Sequence, residues 1–180
     1  MRSCRMKPER ELPIRFREAV TFEDSENVRR IVVSSGFFSS DEIQVAVELV
    51  EERLSRGLES GYRFLFAEHE GVCIGYTCFG PIALTKAGYD LYWIAVDNPF
   101  RGCAVGRRLL AETLRIVECL GGVRVYAETS SRAQYAPTRS FYRTHGFVEE
   151  AVFKDFYDYG DDKIVYSTTT KVPSKDKDRP

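Results

Sequence analysis

Several shortages in this sequence close whole classes of function. None of its 180 residues belongs to an apolar run long enough to cross a bilayer as a helix, which takes about 20 consecutive apolar residues. Charge of one sign is also lacking. Lys and Arg number 26 and Asp and Glu 27, a net charge of −1, so the basic excess of a nucleic-acid-binding surface is absent. The two histidines, His69 and His145, have no partners at ligand spacing, and no metal is expected. Five cysteines, at positions 4, 73, 78, 103 and 119, make no CxxC pair and no zinc spacing. An odd number of scattered thiols fits a reducing compartment, so the expected location is cytoplasmic. Residues 1–11 hold three arginines and a lysine but no apolar segment, which is not the pattern of a secretory signal. No internal repeat and no low-complexity linker divides the chain.

What is present reads as a single domain. Apolar residues make up 43% and charged residues 29%, a globular balance. The domain is expected over residues 12–171, between a frayed tail at 1–11 and a flexible one at 172–180. Residues 14–20 alternate loosely and suggest a first strand. Thr21-Phe-Glu-Asp24 and Ser39-Ser-Asp-Glu42 both match the capping-box pattern and predict two helix starts. Val28, Ile31 and Val32 form the apolar face of the first helix, and Ile43, Val47, Val50 and Leu54 that of the second. Strands follow at 62–68 and 72–79, joined by a hairpin turn at His69-Glu-Gly71. A third strong strand spans 90–96. The next helix is expected to bury Val105, Leu109, Leu110, Leu114, Val117 and Leu120, and to stop at Gly121-Gly122. A strand at 123–129, a short helix between Pro137 and Gly146, and a closing hairpin over 148–157 and 163–170 complete the order. Alternating strands and helices make this an α/β protein with a central sheet.

The junction between the strand at 90–96 and the helix after it carries the chemistry. A strand that feeds a small-residue loop at a helix N-terminus is a natural anion site, because free backbone N–H groups and the helix dipole both point outward there. Two phosphate-loop patterns fail on spacing. Gly102 and Gly106 are too close for a Walker loop, and no Lys-Ser/Thr follows. Nor do they give the GxGxxG of a dinucleotide fold. What remains is Arg101-x-x-Ala104-x-Gly106.

That loop resembles the (Gln/Arg)-x-x-Gly-x-(Gly/Ala) segment of the GNAT superfamily, the acetyl-CoA-dependent N-acetyltransferases. The likeness extends to Leu91-Tyr-Trp-Ile-Ala-Val96 as the family's central strand and to Tyr142-x-x-x-Gly146-Phe147. It covers nearly the whole chain. It implies a mixed, mostly antiparallel central sheet flanked by helices and splayed between its two central strands. It further implies that the backbone from Arg101 through Gly102, Cys103, Ala104 and Val105 to Gly106 holds the CoA pyrophosphate. Arg101 and Arg107 would add positive charge, and Ile94 and Ala95 would flank the pantetheine arm. The Val96 N–H would face the thioester carbonyl. Three positions depart from the family pattern: Ala104 replaces the middle loop glycine, Tyr135 stands where an asparagine is expected, and the proline after the strand sits one place later, at Pro99. An alanine can hold helical angles there but brings a Cβ toward the phosphates.

Acyl transfer from a thioester to an amine requires a base for the ammonium, a donor for the developing oxyanion and an acid for the departing thiolate. By resemblance Tyr142 is the acid; packed with Phe141 and Phe147 it also reads as a plain core residue. Glu128, the lone carboxylate of the strand at 123–129, is the first candidate base, with its pKa raised by burial. A solvent-facing role for Glu128, a role for Asp155 as base, and a water chain without a single base stay open. The acidic hairpin of Asp155, Asp158, Asp161 and Asp162 with Tyr157 and Tyr159 either draws a cationic amine or is a solvated turn. Cys103 reads as a small filler. Phe37, Phe38 and Tyr89 are candidates for the acceptor pocket. The expected activity is acetylation of a primary amine on a small molecule or peptide by direct attack in a ternary complex. A non-catalytic acyl-CoA sensor on the same fold is the other reading. An exposed edge strand near the C-terminus would allow a homodimer.

Overall fold

The computed structural model describes residues 12–170; the two expected tails and residue 171 lie outside the described residues. A short strand β1 (Arg15–Arg17) leads into helices α1 (Asp24–Ser35) and α2 (Ser40–Arg56). Strands β2 (Arg63–His69), β3 (Val72–Pro81) and β4 (Gly88–Val96) follow, then helix α3 (Val105–Cys119) and strand β5 (Arg124–Ser130). Helix α4 (Ala136–Thr144) and the hairpin β6 (Val148–Asp158) and β7 (Asp161–Thr169) close the chain. The seven strands of the described residues form one sheet in the order β1-β2-β3-β4-β5-β7-β6.

The strand alternation sorts the core into two layers. Phe64 and Phe66 of β2 face one side with Tyr76 and Cys78, and are covered by Val28, Ile31 and Val32 of α1 and Ala46, Val47 and Val50 of α2. Leu65 and Ala67 face the other side with Ile74, Phe79 and Leu91, under Val105, Leu109, Leu110, Ile116 and Val117 of α3. Tyr142, Phe147 and Tyr166 extend that second layer across the C-terminal strands.

The β4–β5 pair decides where a ligand can enter. It is the one parallel pair in the sheet, and it holds only from Gly88↔Arg124 to Leu91↔Ala127. Beyond those residues the two strands part, as the splay expected between central strands requires. On its other side β4 stays paired to β3 up to Gly75↔Val96, and the Asp97 N–H continues the ladder to the Ile74 carbonyl at 2.9 Å. Antiparallel ladders alternate bonded and non-bonded pairs. With Asp97 bonded to Ile74, the Val96 and Ile94 N–H groups point away from β3, into the gap.

Local expectations fare unequally. The Ser39 box forms in full: the Ser39 hydroxyl accepts from the Glu42 N–H, and the Glu42 carboxylate accepts from the Ser39 N–H at 2.8 Å. The Thr21 box forms by half. Asp24 accepts from the Thr21 N–H at 2.8 Å, but the Thr21 hydroxyl donates to the same carboxylate instead of capping the helix. Asp24 is fully buried and also receives both ends of the Arg17 guanidinium at 2.9 Å, which binds β1 to α1. The first strand covers only Arg15–Arg17, less than the stretch 14–20. Leu120 is not buried with α3; it is 41% exposed beyond the last helical residue, and Thr113 and Ile116 fill the inner face.

Candidate active site

At the start of α3, Gly102 and Ala104 both take left-handed backbone angles, at φ +79° and +59°. The first helical bond runs from the Arg108 N–H to the Ala104 carbonyl, 3.1 Å. The amides of Ala104, Val105, Gly106 and Arg107 therefore project from the helix end, where the dipole favours an anion. Ala104 does not hold right-handed helical angles: it sits in the left-handed region, at φ +59° and ψ +11°. Gly106 lies flat against the sheet end, within reach of Val96 and Phe141, so a side chain there would meet ordinary contacts at 3.6 Å. Cys103 is exposed and fills no gap, which corrects the reading of it as a filler. Arg107 is exposed and has no ion-pair partner among the described residues, whereas the Arg101 guanidinium sits 5.0 Å over the Phe37 ring.

A cavity of about 1020 Å³ opens where β4 and β5 diverge. It is walled by Phe37, Phe38 and Glu42 before and within α2, by Asp90 to Ile94 of β4, and by Tyr126 and Glu128 to Ser130 of β5. Gln134, Tyr135 and Tyr142 reach it from the other side, and Tyr157 and Asp161 from the last hairpin. Phe38 packs at 5.0 Å from Trp93 and 6.4 Å from Tyr135, and the Tyr135 hydroxyl donates to Glu42 at 3.2 Å. Tyr89 is absent from the cavity wall; its ring lies beside Gly122 in the second core layer, which corrects its place among the pocket candidates.

Tyr142 is 4% exposed, stacked among Phe147 at 5.2 Å and Tyr166 at 5.7 Å, and its hydroxyl has no hydrogen-bond partner among the described residues. Burial pushes its pKa well up, so the phenol stays protonated through the neutral range. Glu128 does not meet the expectation of burial: its side chain is 49% exposed and pairs with Lys163 at 3.3 Å. The carboxylate that the sequence reading passed over is Asp90. Register places it opposite Gly80 and Tyr126, on the same sheet face as Trp93 and Glu128. It is half-buried, has no hydrogen bond or ion pair among the described residues, and its pKa is raised by desolvation and then by the nearby Glu128 charge. Its signal in the sequence was an acidic residue beginning an apolar strand.

The acidic hairpin is mostly occupied with itself. Asp161 accepts from the Ser130 hydroxyl and pairs with Arg132 at 2.9 Å; Asp155 and Asp162 accept backbone N–H groups of the turn. Burial raises the Tyr157 pKa to about 12. His69 bonds the Pro13 carbonyl and His145 the Phe141 carbonyl, at 2.9 and 2.7 Å. Among the described residues no group of His, Cys, Asp and Glu could hold a metal ion, and no helix is long and apolar enough to cross a membrane.

A mixed sheet opened beside a left-handed loop, a free helix end and a cavity defines an acetyltransferase-type α/β protein. Residues 60–149 match the GNAT acetyltransferase domain, and the chain belongs to that family. It is 46% identical to a GNAT-family protein from Desulfovibrio desulfuricans, over 88% of this chain and 100% of that one, with a TM-score of 0.87. The fold also matches an aminoglycoside 6'-N-acetyltransferase complexed with coenzyme A, at 16% identity, 89% and 99% coverage and a TM-score of 0.70. The ribosomal-protein-S18-alanine N-acetyltransferase from Escherichia coli matches at 18% identity, 91% and 97% coverage and a TM-score of 0.69. No curated protein matches the chain.

Proposed function

We propose that the protein moves an acetyl group from acetyl-CoA to a primary amine by direct attack. The observation that carries this is the meeting of three things on one cavity: the unpaired end of β4, an unpartnered carboxylate at Asp90 and a buried phenol at Tyr142. A fold relative crystallised with coenzyme A supports the choice of donor. The residues present fit that donor. The amides at 104–107 and the free Arg107 suit a pyrophosphate, and Ile94, Ala95 and Val96 line the way from the loop to the gap.

The thioester supplies an activated acyl carbonyl. Asp90 takes a proton from the acceptor ammonium, whose pKa of about 10.4 otherwise keeps it from attacking. Desolvation and Glu128 raise the affinity of Asp90 for that proton, so Glu128 acts by tuning the base beside it. The Val96 N–H faces the gap and donates to the oxygen that becomes negative. The Tyr142 hydroxyl gives its proton to the departing thiolate.

Tyr142→Phe keeps the ring in its aromatic packing and removes an unpartnered hydroxyl. Its turnover across an amine panel is expected to fall by roughly a hundredfold or more, at unchanged acetyl-CoA binding. Wild-type protein that binds CoA and acetylates no amine would instead be the acyl-CoA sensor. No thermal protection by CoA would sink both readings.

A further inference from the structure

We infer that the acceptor is a diamine: two ammonium groups joined by an apolar linker. The inference rests on the acetyl-transfer reading above and narrows it. Four carboxylates line the cavity, from Glu42, Asp90, Glu128 and Asp161. Two of them are already neutralised, Asp161 by Arg132 at 2.9 Å and Glu128 by Lys163 at 3.3 Å. The other two form no ion pair among the described residues. Asp90 also has no hydrogen bond there, and the Lys163 charge reaches it only from its place beside Glu128. Glu42 accepts only from neutral donors, the Ser39 N–H at 2.8 Å and the Tyr135 hydroxyl at 3.2 Å. Two carboxylates without an ion pair, facing one cavity, favour two positive charges on its occupant.

The wall between those charges is aromatic. Phe38 touches the Trp93 ring on the Asp90 side and the Tyr135 ring on the Glu42 side. Such a wall favours an alkyl linker and the faces of ammonium groups, and gives little to a hydroxyl-rich polycation. Two of the polar groups that would serve hydroxyls are already engaged, Ser130 with Asp161 and Tyr135 with Glu42. The nearly buried Tyr142 hydroxyl, unpartnered on the same cavity, marks the reacting end independently of the carboxylates. One ammonium therefore gives up its proton at Asp90, and the second stays charged at Glu42.

The test compares α,ω-diaminoalkanes of increasing length with the monoamine of each length, by initial rates and by calorimetry on the CoA-bound enzyme. At the best length the diamine's kcat/KM and affinity should exceed the monoamine's by roughly tenfold or more. Glu42→Gln, whose amide oxygen can still accept the Ser39 N–H, should erase that excess and leave the KM for acetyl-CoA unchanged. Equal use of diamine and monoamine, or an excess that survives in Glu42→Gln, overturns the inference. Binding of CoA without turnover of any amine overturns acetyl transfer instead, and the calorimetric ratio of diamine to monoamine still decides for or against the diamine.

Discussion

Ala104 is the residue whose backbone most departs from what its side chain prefers. A Cβ at left-handed angles costs about 1–2 kcal/mol, and glycine gives back roughly 0.4–1 kcal/mol through the freedom of the unfolded chain. Ala104→Gly should therefore stabilise the fold by about 0.5–1 kcal/mol in urea denaturation while the loop keeps its φ of +59°. Asp90 is the second residue with a cost attached. A carboxyl whose folded pKa is raised favours folding less and less as pH climbs from its unfolded value, near 3.8, through the folded one. Above the folded value the wild type bears that cost in full, so Asp90→Asn should raise Tm there and show no gain at a pH below both values. The same substitution should remove the acid limb of the kcat/KM profile. Glu128→Gln should move that limb to lower pH, because the neighbouring negative charge that holds the Asp90 proton is gone.

At the scale of elements, the tie between β1 and α1 carries more than its length suggests. Asp24 is fully buried and receives Arg17, the Thr21 N–H and the Asn27 amide. Desolvation raises its pKa and the Arg17 hydrogen bonds lower it, with a net fall. Its stabilisation is thus present above the unfolded pKa and lost as pH drops through the folded value. Asp24→Asn should cost about 2–3 kcal/mol, read as a lower urea midpoint at unchanged slope, since it removes the buried charge that Arg17 meets and leaves Glu68 as the remaining partner of that guanidinium. Elements of this kind were legible where the signal is local. Ser39 and Glu42 are three residues apart and cap the same turn, and the apolar period of α1 to α3 shows which faces are covered. What escaped depends on neighbours distant in sequence. Nothing around Asp90 says that β3 and β5 leave its carboxylate alone, and nothing around Glu128 says that Lys163 meets it. Leu120 fits the helical period but lies one residue past the last helical residue, Cys119, just before Gly121 and Gly122 turn the chain away. The Thr21 pattern was legible too, and its carboxylate half forms, yet the Thr21 hydroxyl turns to Asp24 instead of the helix end.

Across the whole molecule, the two helices α1 and α2 cover only the strands on the β4 side of the sheet, and this leaves the space beside β5 open. A ligand that lies along the parting of β4 and β5 touches both sides of the sheet. Acetyl-CoA at a hundred times its Kd should stabilise the fold by about 2.7 kcal/mol, seen as a concentration-dependent rise in Tm. The direct ladder between the two sides is four residue pairs long, Gly88↔Arg124 to Leu91↔Ala127. Amide exchange should therefore divide the sheet into two groups of protons, with β5, β7 and β6 opening at lower free energy than β2 to β4. A bound molecule that bridges the parting would draw those two groups toward one rate, so the exchange pattern would report occupancy of the site from strands that never touch the ligand.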